Sequence, residues 1–153
     1  MPHIHKDIDF CVEVYITYQN KVLLRKHDKY KLWLSVGGHI ELNEEPNVAA
    51  TREVREEVGL EIELIGKDKL PKLSAGYTPL IPPRFMYIHN LNLEHRHIVL
   101  VYFAKSKTDK LVLSKKEVSE DCRWFTEEEL LENKAGISKN VQFYALKALK
   151  NNG

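Results

Sequence analysis

Cysteine is scarce in this chain: Cys11 and Cys122 are the two among 153 residues. Both sit in apolar, strand-like stretches, which argues against a disulfide framework and for two reduced, buried thiols in a cytoplasmic protein. Charge of one sign is equally lacking. Lys and Arg total 23 against 22 Asp and Glu, a formal net charge of +1. That balance gives no electrostatic footprint for a nucleic-acid polymer or a membrane surface, although local basic groups can still meet phosphates. No stretch approaches the roughly 18 apolar residues of a membrane helix. The opening residues MPHIHKDIDF lack the apolar run of a secretory leader. Repeats and low-complexity segments are missing as well. What remains is a chain of one-domain size, residues 1–153, long enough to bury about 68–70% of its unfolded surface without staples.

What is present is punctuated clearly. Phe10 to Tyr18 alternates with β-branched and aromatic residues and reads as a strand; Gln19-Asn20 turns it into a second strand over Lys21 to Arg25. Leu32-Trp33-Leu34 is a short apolar strand that leads into a glycine loop at Gly37-Gly38. Further strands are expected at Glu61–Ile65, Arg84–His89, His97–Ala104, Leu111–Leu113 and Cys122–Phe125. Thr126-x-x-Glu129 has the pattern of a capping box, and Ser138 opens a last helix with Val141, Tyr144, Ala145 and Leu149 on its core face. The stretch from Gly66 to Pro83 is long, irregular and proline-rich, and is expected to shape a pocket.

One helix carries the chemistry. Pro46 suits its first turn and Gly59 its stop, while Ala50, Val54 and Val58 form an apolar stripe at i, i+4, i+8. Its other side holds Glu53, Glu56 and Glu57 at i, i+3, i+4. Like charges so placed repel by roughly 0.2–0.5 kcal/mol per pair. They also crowd toward the negative end of the helix dipole. A bridging cation reverses that penalty, and oxygen-only ligands suit a hard ion such as Mg²⁺ or Mn²⁺. The competing reading is a solvated acidic face, with Arg52 and Arg55 as surface ion-pair partners.

The spacing of the whole stretch decides between them. Gly38-x5-Glu44-x7-Arg52-Glu53-Val54-x-Glu56-Glu57-x-Gly59-Leu60 resembles the Nudix box of the MutT-like hydrolases, with every fixed position filled. The resemblance implies an α+β fold, a Nudix-like α/β/α sandwich with a mixed, curved sheet between the box helix and the C-terminal helices. It implies a metal-dependent hydrolase of a nucleoside diphosphate linked to a further group, acting on a small-molecule nucleotide, with homodimer formation left open. By the same likeness Glu53, Glu56 and Glu57 hold Mg²⁺ (or Mn²⁺), and Arg52 orients them with Glu44 beside it. A carbonyl at Gly37 or Gly38 completes the metal shell. The base is Glu53, Glu56 or a late-loop glutamate, Glu117 ahead of Glu120. One departure is Ser35-Val36 before the glycine pair, where many members carry a proline.

Substrate contacts are expected from Tyr77, Arg84 and Tyr87, which can stack on a base or meet a phosphate. Tyr77 and Pro79 match family clues for dinucleoside polyphosphates and for ADP-ribose respectively, so the clue does not choose. His89, His95 and His97 read as pocket-lining or surface residues, since no cysteine or further histidine stands near them in the sequence to complete a transition-metal set. Two rival functions remain: a nucleotide sensor that keeps the fold without cleavage, and an isopentenyl-diphosphate isomerase-like enzyme. The second rests on a faint likeness over Trp33–His39 and needs a catalytic cysteine context that neither Cys11 nor Cys122 has.

Overall fold

A computed structural model of the chain describes residues 4–27, 30–113 and 119–151. In chain order the strands are β1 (Ile8–Tyr18), β2 (Lys21–His27), β3 (Trp33–Leu34), β4 (Val36–His39), β5 (Ile62–Leu64), β6 (Phe85–Asn90), β7 (Arg96–Ser106) and β8 (Ser119–Thr126). The helices are α1 (Pro46–Val58), α2 (Glu127–Glu132) and α3 (Lys139–Lys150). The strands form one mixed sheet in the order β3-β2-β1-β7-β5, with β4 also on β1, β6 also on β7 and β8 also on β2. The central β1–β7 pair is parallel and the other pairs are antiparallel. A parallel pair demands a crossover, and here the crossover carries α1 over one face of the sheet.

Alternation along β1 then divides the core. Val12, Val14 and Ile16 point to one side and pack with Ala50, Val54 and Val58 of α1. Cys11 and Tyr15 point to the other, where Val99, Val101 and Phe103 meet Leu130 of α2 and Val141, Ala145 and Ala148 of α3. The result is the expected α/β/α sandwich of α+β character. Tyr144 and Leu149, placed on the core stripe of α3 by spacing, pack at its margin.

Local signals explain the element ends. Gln19 and Asn20 both take left-handed backbone, φ 44° and 62°, as the two-residue hairpin turn requires. Glu45 caps α1 by accepting from the Val48 N–H, and Pro46 follows at the first helical position. Gly59 closes the helix at φ 69°, its N–H on the Arg55 carbonyl. Thr126 and Glu129 complete both halves of a capping box.

Two expectations change. The glycine stretch is not a loop but strand β4, with Cys11 opposite His39, Val12 opposite Gly38 and Glu13 opposite Gly37. Glycine serves here as clearance rather than as a turn, because a Cβ on Gly37 would run into the Val12 carbonyl. Leu111–Leu113 is irregular, with the Val112 N–H on the Val58 carbonyl at 2.9 Å. Residues 66–83 are irregular as expected, with a single 3₁₀ turn at Lys67–Lys69. No helix of the described residues is long and apolar enough to cross a membrane.

Gly37→Ala is expected to cost about 1–3 kcal/mol, the usual range for overpacking. Urea unfolding checks it; an unchanged midpoint would show that β1 and β4 are free to separate.

Candidate active site

Arg52 gathers the box. Its Nε and Nη2 donate to the two Glu44 oxygens at 2.6 and 2.9 Å, the two-pronged geometry that guanidinium and carboxylate favour. Nη1 reaches Glu53 at 3.0 Å and Glu56 at 3.2 Å, and Nη2 also donates to the His39 carbonyl at 3.1 Å. The side chain thereby ties together the loop before α1, the acidic face of that helix and the end of β4. Glu44 holds Arg52 even more firmly protonated, and Arg52 in turn draws the Glu44 carboxyl below its ordinary value.

The three glutamates do not share one environment. Glu53 and Glu57, one turn apart, are 2% and 6% exposed, while Glu56 faces solvent. Buried carboxylates need cationic partners. Glu53 has Arg52, and Glu57 has Arg25 of β2, whose Nε lies 3.1 Å from Glu57 Oε2. Arg55 serves elsewhere, paired with Glu61 on the surface. Glu53 also rests against the backbone of Gly38, where any Cβ would collide with its carboxylate. The donors on this helix are all carboxylate oxygens beside backbone, so they fit a hard divalent cation.

Two cavities meet here. One of about 780 Å³ opens on Glu44, Arg52, Glu53 and Glu56. The other, about 600 Å³, lies on the α3 side of the sheet and takes in Glu13, Arg25, Gly38, Tyr87 and Tyr144. His39 lines both. Tyr87 donates its hydroxyl to Glu13 and stacks on Tyr144, with centroids 5.9 Å apart and planes at 16°. Burial raises the Glu13 carboxyl above its ordinary range, partly offset by the bonds from Tyr87 and Ser35.

Of the substrate residues expected from sequence, Tyr87 alone lines either of these cavities. Tyr77 is 71% exposed in the long loop. Arg84 lies 5.5 Å over the Phe103 ring and donates to Asn151 at 3.2 Å. Glu117 lies outside the described residues, and Glu120 falls in β8, which pairs with β2 beside Arg25. Both cysteines are free thiols; Cys11 is buried and Cys122 half-buried. Burial, with Asp9, Glu13 and Glu53 nearby, pushes the Cys11 thiol up to about 12, so it is no thiolate nucleophile at neutral pH.

Sequence reasoning does not single out Arg25, Glu13 or His39. Glu13 has a signal, as the one charged residue on the inward face of β1 between Cys11 and Tyr15. Arg25 has none, because its partner is set by strand order. For the histidines the structure corrects the expectation. His89 and His97 do line the second cavity, but His95 is buried against Asp9, and strand pairing brings Asp9, Cys11 and His39 to the same cluster.

An acidic helix docked by arginines on a glycine strand, over a mixed sheet, is an arrangement that known proteins share. The NUDIX domain model matches residues 11–146. A NUDIX-family hydrolase from Clostridium perfringens superposes with a TM-score of 0.79 at 34% identity, over 93% of this chain and 96% of that one. A MutT NUDIX hydrolase from Burkholderia pseudomallei shares the fold, with a TM-score of 0.66 at 17% identity over 95% and 98% of the two chains. The m7GpppN-mRNA hydrolase NUDT17 of Xenopus laevis is 27% identical over 136 residues, which is 80% of this chain and 43% of the relative's length. The chain belongs to the Nudix family. It is an enzyme, a Nudix hydrolase.

The Glu44–Arg52 pair carries a pH signature. The Glu44 carboxyl titrates lower in the folded state, so its stabilisation is complete above the ordinary carboxyl value of 4.5 and is lost as pH falls through the depressed one. Glu44→Gln should lower Tm at pH 7 and converge with the wild type in strong acid. A constant gap at all pH values would show that the loss is packing rather than charge.

Proposed function

We propose that this hydrolase cleaves the pyrophosphate link of a nucleoside diphosphate derivative: a nucleoside triphosphate, ADP-ribose or a dinucleoside polyphosphate. The observation that carries the reading is the Arg52 hub, which holds Glu44, Glu53 and Glu56 at the rim of one cavity while Gly38 leads to a second, aromatic one. Glu53, Glu56 and Glu57 would hold Mg²⁺ or Mn²⁺, with a carbonyl of Gly37 or Gly38 as a further ligand. Bound there, the ion supplies Lewis-acid neutralisation of phosphate charge and a more acidic water.

The protein's own groups do the rest. Arg52 fixes the rotamers of Glu53 and Glu56, so the carboxylates are ordered before substrate arrives. Arg25, shared between Glu57 and the aromatic cavity, offers a cation to a phosphate oxygen. Tyr87 and Tyr144 offer a stacked aromatic wall to a base. Glu53, Glu56 or a late glutamate, Glu117 or Glu120 of β8, takes the proton of the attacking water. The relative named an m7GpppN-mRNA hydrolase supports including a capped substrate among those tested.

Phosphate release from a nucleotide panel, with Mg²⁺ and with Mn²⁺, tests the reading. Metal-dependent cleavage of one class is expected, falling at least about 100-fold in Glu53→Gln and Glu57→Gln. Tight nucleotide binding without turnover of any member would reverse the conclusion in favour of a sensor.

A further inference from the structure

Away from the glutamates, the N-terminal end of β1 carries a knot of imidazoles. Asp9 lies opposite His97 in the parallel β1–β7 register, and Cys11 lies opposite His39 on β4. His95 directly precedes β7. Asp9, His39 and His95 are 1%, 6% and 5% exposed. The His97 ring contacts both other rings edge-on, His39 at 5.0 Å and 88° and His95 at 5.2 Å and 87°. One ligand atom each from Asp9, His95 and His97 lie within 4.8 Å of one another.

The surrounding bonds aim those atoms. His95 Nδ1 sits 2.8 Å from the Lys6 carbonyl, which can only accept, so Nδ1 carries the proton and Nε2 points to Asp9 Oδ2 at 3.1 Å. Asp9 Oδ1 accepts from the His5 N–H at 2.7 Å, and the Ile4 N–H is shared between Oδ1 at 3.1 Å and Oδ2 at 3.3 Å, which fixes the carboxylate with Oδ2 also facing His95 Nε2. His39 Nε2 is 3.9 Å from that same Oδ2 and 3.4 Å from His97 Nε2. Two donors on one tetrahedral Zn²⁺ are about 3.3 Å apart, given Zn–N distances of about 2.0–2.1 Å. A histidine locked by a backbone carbonyl at its far nitrogen is also how metal-ligating imidazoles are commonly held.

We propose that Asp9, His95 and His97 form a binding site for a transition-metal ion of the Zn²⁺ class, separate in ligands and in metal type from the box glutamates. Nitrogen donors select Zn²⁺ over the hard ions that suit carboxylates alone. Its position joins residues 4–9, the turn before β7 and the central parallel pair, so the ion clamps the end of the sheet next to the shared wall of the two cavities. His39 lies beside the set, its Nε2 3.9 Å from Asp9 Oδ2 and 3.4 Å from His97 Nε2.

Untagged protein stripped with a chelator, loaded with Zn²⁺ and desalted, is expected to retain one ion per chain by elemental analysis and to gain several degrees in Tm. Glu57→Gln should retain the ion; Asp9→Asn and His97→Gln should lose it, with circular dichroism confirming that each variant is folded. The proposal is overturned if the wild type retains no Zn²⁺, or if Glu57→Gln loses it as the histidine variant does. It is also overturned if Cys11→Ser abolishes binding while Asp9→Asn preserves it, which would move the ion to the Cys11, His39, His97 triple. Metal content, not turnover, is the readout, so failure here leaves the hydrolase reading untouched and the reverse holds too.

Discussion

One guanidinium holds the functional end of this molecule together. Arg52 spends its donors on Glu44, Glu53, Glu56 and a backbone carbonyl of β4. Removing it would take from the buried Glu53 a guanidinium partner at 3.0 Å, and breaking a buried ion pair costs about 3–5 kcal/mol. The apolar stripe of α1 sets the distance of that helix from the sheet. The arginine sets the rotation and rotamers of what the helix presents.

The sheet answers with equal specificity. Because β1 alternates, one of its faces builds the core under α1, and the other builds the floor of the aromatic cavity. That division places a carboxyl, Glu13, on an inward face, where Tyr87 and a raised affinity for its proton keep it tolerable. Arg25 reaches from the second cavity to Glu57 on the helix side of the sheet. The two cavities are therefore parts of one electrostatic arrangement, with β4 as the partition.

Much of this is legible in the order of the residues alone. The box helix can be read down to its cap and stop, because Pro46, Gly59 and the Ala50–Val54–Val58 spacing act locally. The capping box at Thr126 is legible for the same reason. What local pattern does not supply is strand order. Glycines that resemble a loop become β4, since clearance against Val12 is a property of the pairing and not of the segment. Arg25 and His39 gain their roles from neighbours distant in sequence. The histidines His95 and His97 meet each other locally, whereas Asp9 and His39 reach them through the parallel pairing of β7 with β1 and the antiparallel pairing of β4. Tyr77 and Arg84 stand out by residue type in a pocket-like stretch, and type alone does not say which way that stretch faces.

The parallel pairing of β1 with β7 has a kinetic side. Thr17 and Ala104, 87 residues apart, meet through a hydroxyl-to-carbonyl hydrogen bond at the far end of a ladder that begins at Ile8 and Arg96. Nothing in that ladder forms before a large loop has closed, and non-local pairing of this kind slows folding. The box helix can form early from its own caps, yet its glutamates gain their cradle only when β4 has added to β1. Ribosomal synthesis must release most of the chain before β7 can dock. Arg52 travels with the helix, but Glu57 must wait for Arg25 of β2 and Glu53 for the backbone of Gly38, so the two buried carboxylates are the last part of the helix to find their surroundings.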